Sequence, residues 1–399
     1  MGISLGLVGL GAFGSSFAPL FKSHPLVDRV ALCDIEPDRV KLWAERESFR
    51  DKLDPKDTYD SLEDICGTDL DALAIITQPW FHAPQALMAM ESGKHVYSAV
   101  PIVTLPDGDE ILDWCEKLID ASKRTGRYYM LGETTYYRPE TMYCRKRAAE
   151  GAFGEFIYAD GEYYHDVDHG LREVKRRREG STSGRQWLEK AKEYKARGIF
   201  TGPMHYPTHS TAGPVCVMNA HAVKVSAFAY YNTAGEAWYD GGPSAETALF
   251  RMSNNAHVRI CESREIGHQN RETFRVYGNQ GSFENYTWCD KHSKTDLAID
   301  DMRGAIPEDV AEAFHAELTA GAGGGSGLSV QERRDFLGGH GGSHAYLVHE
   351  FVSAIAENRQ PATNIWEAAR YMVMGVMAHK SALRDGETLD VPDFGDAPG

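Results

Sequence analysis

Ile3-Ser4-Leu5-Gly6-Leu7-Val8 runs straight into Gly9-Leu10-Gly11-Ala12-Phe13-Gly14, an apolar strand followed by glycines at the spacing Gly-x-Gly-x-x-Gly. A helix-forming stretch opens directly after Gly14, and that context turns a weak motif into a dinucleotide-binding one. Gly9 permits the tight turn and Gly11 lets the backbone approach a pyrophosphate. Gly14 allows close packing of helix on strand, and Ala12 and Phe13 complete the loop around the ligand. The N-terminus of the helix then aims its unpaired N–H groups at the phosphates. Asp34 stands 20 residues after Gly14, at the end of the next apolar run. A carboxylate there accepts ribose hydroxyls and repels a 2′-phosphate, so the expected cofactor is NAD and not NADP.

Outward from this unit, short apolar runs at Val30–Cys33, Ala72–Thr77, His95–Ser98 and Tyr128–Leu131 alternate with helix-period segments. The alternation predicts an α/β arrangement, a parallel doubly wound Rossmann domain over residues 1–130. Thr77-Gln78-Pro79-Trp80-Phe81-His82 ends one of these strands at the carboxyl edge, where open α/β sheets bind ligands. Thr77, Trp80 and His82 are therefore candidate cofactor contacts, with Trp80 and His82 flanking the nicotinamide ribose; Trp80 could equally pack an interdomain seam. Pro19 falls inside the first helix, where it removes a backbone bond and is expected to kink the element.

From Glu155 onward the runs lengthen, alternate and join through hairpin turns, as in Leu249–Met252 with His257–Cys261 and Phe274–Tyr277 with Ser282–Asn285. This predicts a second, α+β domain over residues 131–399 with an open, mainly antiparallel sheet. A charged insert, Leu171–Arg197, interrupts it, and Arg172, Lys175, Arg176, Arg177 and Arg178 read as a solvated helix face. Gly321–Gly327 reads as a glycine-rich loop. After Ser343 the helical period returns, with Tyr346, Leu347, Phe351 and Ile355 on one face and Trp366, Ala369, Tyr371, Met374 and Met377 on another; these helices are expected to pack back on the core. Gly338-Gly339-His340-Gly341-Gly342-Ser343-His344 could bring two imidazoles to a ligand or form the first turn of the helix that follows.

The formal net charge of −16 leaves no basic field to recruit phosphates, which argues against nucleic acid and anionic membranes as partners. A small ligand fits better. Seven scattered cysteines without a CxxC pair indicate neither a disulfide framework nor a zinc site, so no metal is expected and a reducing, cytoplasmic setting is. The exposed face of an open sheet commonly needs a partner, so a homo-oligomer, dimer or tetramer, is expected.

Gly93-Lys94-His95-Val96-Tyr97-Ser98-Ala99-Val100-Pro101 resembles the "GKHVxxEKP" segment of the Gfo/Idh/MocA oxidoreductase family, a resemblance that extends along the chain to Val391-Pro392-Asp393-Phe394. In that family's sugar dehydrogenases the motif lysine helps to deprotonate a substrate hydroxyl. Here Ala99-Val100-Pro101 replaces Glu-Lys-Pro, and Val100 and Pro101 remain as candidate cofactor-side residues. The missing lysine resembles one branch, the NAD-dependent glycosidases of glycoside hydrolase family 109 and relatives. Three further residues match that branch: Glu133 in Gly132-Glu133-Thr134-Thr135-Tyr136, Tyr163 in Asp160-Gly161-Glu162-Tyr163-Tyr164-His165-Asp166, and His209 in Tyr206-Pro207-Thr208-His209.

The resemblance implies a carbohydrate substrate and a redox-neutral cycle. Oxidation at C3 of the sugar acidifies C2, loss of the C2 proton expels the C1 group, water adds to C1, and C3 is reduced again. It makes His209 a candidate base for the C3 hydroxyl, because an unperturbed imidazole titrates near neutrality. Tyr163 is a candidate base for C2, which requires a neighbouring charge. Glu133 would tune Tyr163 or serve the leaving group, and these two roles could be exchanged. Each residue also has a plainer reading: His209 a core histidine, Tyr163 a sheet tyrosine, Glu133 the cap of a turn. The alternatives for the whole chain are an NAD-dependent sugar dehydrogenase whose base has moved to His209, and a non-catalytic NAD-bound sensor.

Overall fold

A computed structural model describes residues 2–233, 237–293, 295–321 and 339–398. The first domain alternates strand and helix: β1 (Ile3–Val8), α1 (Gly14–Ser23), β2 (Val27–Cys33), α2 (Pro37–Ala44), β3 (Thr58–Tyr59), α3 (Leu62–Cys66), β4 (Ala72–Ile75), α4 (His82–Glu91), β5 (His95–Ser98), α5 (Gly108–Thr125) and β6 (Tyr129–Leu131). Among the described residues its sheet has six strands in the order β3-β2-β1-β4-β5-β6, all parallel where paired. That order reverses at β1, and the crevice beyond the carboxyl ends of β1 and β4 is where such sheets take a dinucleotide. β2 begins three residues earlier than the apolar run suggested, at Val27, and β4 stops at Ile75, because the chain turns out of the sheet towards Pro79. Pro19 lies inside α1, which ends at Ser23.

The second domain contains α6 (Pro139–Ala149), β7 (Phe156–Tyr164), α7 (Arg172–Gly180), α8 (Thr182–Ala196), α9 (Thr208–Met218), β8 (Ala222–Tyr230), β9 (Ala245–Met252), β10 (His257–Ser263), β11 (Arg271–Gly278), β12 (Gly281–Glu284), β13 (Thr287–Asp290), β14 (Asp296–Ala298) and α10 (Glu308–Gly321). It closes with α11 (Ser343–Ala356), α12 (Ile365–Ala382) and β15 (Leu389–Asp390). Its sheet runs β14-β13-β12-β11-β7-β10-β9-β8-β15 and is antiparallel except where β7 lies parallel to β10. Both expected hairpins are present, β9 with β10 and β11 with β12. The charged insert forms α7 and α8, and α7 buries no residue, as a solvated basic face requires. The glycine-rich loop lies outside the described residues beyond Gly321, as does Gly338. No described helix is long and apolar enough to cross a membrane.

The last two helices bind the domains together. Thr363, just before α12, accepts from the Leu131 N–H and returns its hydroxyl to the Leu131 carbonyl at 2.7 Å, so the C-terminal segment extends the edge of the first sheet. On α11, Phe351 is fully buried with its ring 5.8 Å from Tyr97 of β5 and 6.3 Å from Phe21 of α1. Two turns earlier on the same face, His344 stacks on Phe17 at 4.2 Å. The aromatic cluster is thus shared by sheet, first helix and C-terminal helix. Phe351→Ala is expected to cost about 3–5 kcal/mol. Denaturant unfolding should register the loss in both domains together; loss confined to the C-terminal domain would show that α11 does not join them.

Candidate active site

The glycine loop has the shape a pyrophosphate needs. Gly9 has φ +92°, and a Cβ there would lie 2.3 Å from the Ile76 carbonyl oxygen. At Gly14 a Cβ would lie 1.9 Å from the Gly9 carbonyl, so only glycine lets α1 sit this close. A Cβ at Gly11 would meet nothing nearer than Arg39 Nη1 at 3.8 Å, which leaves open space over the loop for a ligand. The first turn of α1 has no acidic residue and no side-chain cap, so its N–H groups face that space unpaired by side chains. Asp34 directly follows β2, and its carboxylate accepts from the Leu10 N–H at 2.7 Å and the Glu36 N–H at 2.9 Å. Arg39 Nη1 stands 3.4 Å from it. These residues fit a dinucleotide.

The wall of the crevice carries Thr77, Trp80 and His82. Thr77 gives its hydroxyl to Gln85 at 2.5 Å. Trp80 stacks on Trp187 of α8 with ring centres 4.9 Å apart and planes at 11°. The His82 ring is turned into the protein, 1% exposed, between the Pro101 carbonyl at 2.9 Å and the Thr77 carbonyl at 3.2 Å. Burial brings its pKa down to about 4, so His82 is a neutral ring that donates its single N–H to one of the two carbonyls, and it does not flank the ribose from the open side. The Val100-Pro101 peptide is cis, Val100 is buried, and its carbonyl faces the Tyr206 hydroxyl at 3.5 Å.

Beyond β6 the chain delivers Glu133 into the interior. Its Oε1 caps the following turn through the Thr135 N–H at 2.9 Å and receives His209 Nδ1, from the first turn of α9, at 2.9 Å. Glu272 of β11 approaches the same nitrogen at 3.2 Å, and Arg138 Nη2 pairs with its other oxygen at 2.5 Å. Burial works to deprotonate His209, but Glu133 and Glu272 together outweigh it and raise the imidazole to about 9. Burial likewise resists the charge on Glu133, and the His209 cation holds it down near 2. The donor atoms of Glu133, His209 and Glu272 lie within 4.8 Å of one another. Protonated His209 and Arg138 offset the charge of the two carboxylates, while Glu133 Oε2 is buried without a hydrogen-bond partner.

Tyr163 faces this network from β7, its ring centre 5.1 Å from that of His209. Its hydroxyl donates to His165 Nδ1 at 2.7 Å, since burial, reinforced by Arg264, lowers His165 to about 4 and keeps it an acceptor. Tyr206 packs beside both, with ring centres 5.6 Å from His209 and 6.5 Å from Tyr163.

Residues 3–133 match the family model of the oxidoreductase family with an NAD-binding Rossmann fold, and residues 330–397 match that of the glycosyl hydrolase 109 C-terminal domain. Over its first domain the chain is thus similar to the Gfo/Idh/MocA oxidoreductase family. Over its C-terminal segment, and along its length at lower identity, it resembles the glycosyl hydrolase 109 branch. A glycosyl hydrolase family 109 protein from Streptomyces niveus is 27% identical over 98% of this chain and 77% of the relative. One from Porphyromonas gingivalis is 24% identical over 98% and 84%. Among solved structures, myo-inositol 2-dehydrogenase from Lactobacillus plantarum superposes with TM-score 0.66 at 16% identity, covering 98% of this chain and all of that one (100%). The fold is therefore that of the family's dehydrogenases, and the cofactor is NAD.

The structure brings Glu133, Tyr163 and His209 together as the family resemblance implied, and adds His165, Tyr206, Glu272, Arg138 and Arg264 to them. His165 carried a visible signal, since a residue two positions from Tyr163 on a strand shares its face. Glu272 and Arg138 had none, because their approach depends on strand register. The insert also reaches the cofactor crevice: besides the Trp80–Trp187 stack, the Thr182 N–H donates to Glu36 at 3.3 Å and the Tyr194 hydroxyl to Glu110 at 2.6 Å. Asp34→Ser is expected to weaken NAD by on the order of 10- to 100-fold. The nearby Arg39 should let the same variant take NADP; an unchanged preference in a fluorescence titration of both cofactors would remove Asp34 from the ribose site.

Proposed function

We propose that the protein is an NAD-dependent glycoside hydrolase that works by transient oxidation of the sugar, with an NAD-dependent sugar dehydrogenase as the second reading. The observation that carries the proposal is the presence of two separate proton-handling pairs, Glu133–His209 and Tyr163–His165, packed side by side. A dehydrogenase moves one proton, from a hydroxyl, and one base suffices. Hydrolysis through a ketone also removes the proton on the adjacent carbon, which employs the second pair. The glycosyl hydrolase 109 relatives support the same reading, and the inositol dehydrogenase fold is what favours the alternative.

Held in the glycine-loop crevice by Asp34, the α1 N-terminus and the Trp80 wall, NAD supplies reversible hydride exchange with C3 of the sugar. His209 takes the C3 hydroxyl proton, and Glu133 and Glu272 stabilise the imidazolium that results. Tyr163 removes the C2 proton made acidic by the ketone, and the phenol proton has His165 Nδ1 as its acceptor. The C2 electron pair forms the C1–C2 double bond as the C1–O bond breaks. Water then adds to C1, C2 regains a proton, and C3 is reduced. Val100 stands where the family's lysine would supply the hydroxyl base, and His209 takes over that task.

The charge pairing makes His209 a strong base that is mostly protonated at neutral pH. Log kcat/KM is therefore expected to climb with pH towards about 9 and level off above it. Glu272→Gln, which removes one of the two carboxylates raising His209, should move that limb to lower pH. The linked stability has the opposite sense: the contribution of protonated His209 is complete below its ordinary value of about 6.5 and fades as pH rises through 9.

Turnover of aryl glycosides in deuterated water should place deuterium at C2 of the released sugar, with no net NADH. Tyr163→Phe should slow exchange and cleavage together, by on the order of 10²- to 10⁴-fold. NADH accumulating in step with substrate, with C2 unlabelled, would establish the dehydrogenase instead.

The outer face of the second sheet exposes Phe228, Tyr230 and Leu249, each more than half accessible, beside Arg259 and Arg275 paired with Asp160 and Glu162. Mixed charge around an apolar patch is self-complementary under a two-fold axis, and we infer that a second copy of the chain covers it. Phe228→Asp with Leu249→Asp should turn a sedimenting dimer or tetramer into a monomer; a wild-type monomer would refute this.

A further inference from the structure

Across three neighbouring strands Tyr163 stands between two acids, opposite Glu262 of β10 on one side and Glu272 of β11 on the other. Immediately after β10, Arg264 is 4% exposed and lays its guanidinium carbon 4.5 Å from the centre of the Tyr163 ring. Its Nη1 pairs with Glu262 Oε2 at 3.0 Å and reaches the Ser263 and Tyr163 carbonyls at 3.2 Å and 3.4 Å. Glu262 Oε1 receives the Ser210 hydroxyl. One buried cation therefore lies between two groups that can be anionic, the Glu262 carboxyl and the Tyr163 phenol. A buried site tolerates one of them charged far better than both. Burial raises Glu262 to about 7 even against Arg264 and Ser210, so near neutrality the carboxyl is partly protonated and leaves the guanidinium charge uncompensated. Burial also raises Tyr163 well above the ordinary phenol, and Arg264 is the group that opposes this most.

We propose that Arg264 is a positioning residue whose charge is shared between Glu262 and Tyr163, so that protonation of Glu262 commits it to the Tyr163 phenolate, the form that removes the C2 proton. The proposal rests on the reading of Tyr163 as that base. His165 on the same strand, Tyr206 and His209 from the α9 side and Glu272 from β11 also face the phenol, and all remain in place in the variants below.

The test uses the full-length, NAD-loaded protein with tyrosines labelled with carbon-13 at Cζ, titrated by NMR, with Tyr163→Phe assigning the resonance. Arg264→Gln should raise the Tyr163 ionisation by about one pH unit or more, and Arg264→Lys should recover most of the shift. Glu262→Gln should lower it, because the competing carboxylate is gone. If Arg264→Gln fails to fold, the Glu262→Gln shift decides alone. A Tyr163 titration unchanged in Glu262→Gln, or equally disturbed by Gln and Lys at position 264, overturns the proposal. If the shifts appear as stated and no deuterium enters C2 of an aryl glycoside, the glycosidase reading falls while the shared charge of Arg264 stands.

Discussion

Four adjacent strands, β9, β10, β7 and β11, set Glu246, Glu262, Tyr163 and Glu272 in one row on the inner face of the second sheet. Three acids turned into the interior demand compensation, since an unpaired buried carboxylate costs several kcal/mol. Each finds it on a different part of the chain. Glu246 meets His379 of α12 at 2.7 Å, Glu262 meets Arg264, and Glu272 meets Arg138 and His209. The row therefore dictates where α12, α9 and the segment after β6 must lie against the sheet, and the pocket is what remains between them.

The same arrangement puts two imidazoles of one site in opposite states. His209 lies between two carboxylates and is held as a cation, whereas His165, one strand face away, has Arg264 near and no carboxylate close enough to offset its burial. One therefore carries a proton and the other, neutral, accepts a hydrogen bond from Tyr163. Proton traffic in opposite directions needs such a difference, and charge placement supplies it without any change in residue type. The insert helix α8 adds contacts to the crevice through Glu36 and Trp80, so the first domain and the insert share one boundary.

Reading the chain alone went furthest where the information was local. The glycine spacing with Asp34 identified the dinucleotide site, and each glycine has the steric reason assigned to it, Gly14 most sharply because a side chain there would collide with Gly9. The hairpins and the returning helices came from periodicity in the same way. Glu133, Tyr163 and His209 came from motif resemblance, since nothing in their local spacing joins residues 76 positions apart. His82 shows the limit of that approach: a polar residue at a strand's carboxyl end suggested a ligand contact, and the fold buried the ring between two backbone carbonyls.

What the amino-acid sequence by itself determined, then, is the order of elements and the cofactor loop, because short-range sterics and hydrophobic period specify them; the three motif residues came from resemblance alone. What only the tertiary structure decided is the chemistry of those residues. His209 is a base near 9 and not near 6.5 because Glu133 and Glu272 converge on it from separate elements. Tyr163 has a cation over its ring because the turn after β10 returns Arg264 to its strand neighbour. Proton affinity depends on burial and on charges within a few ångströms, and those distances exist only once the strands have found their register.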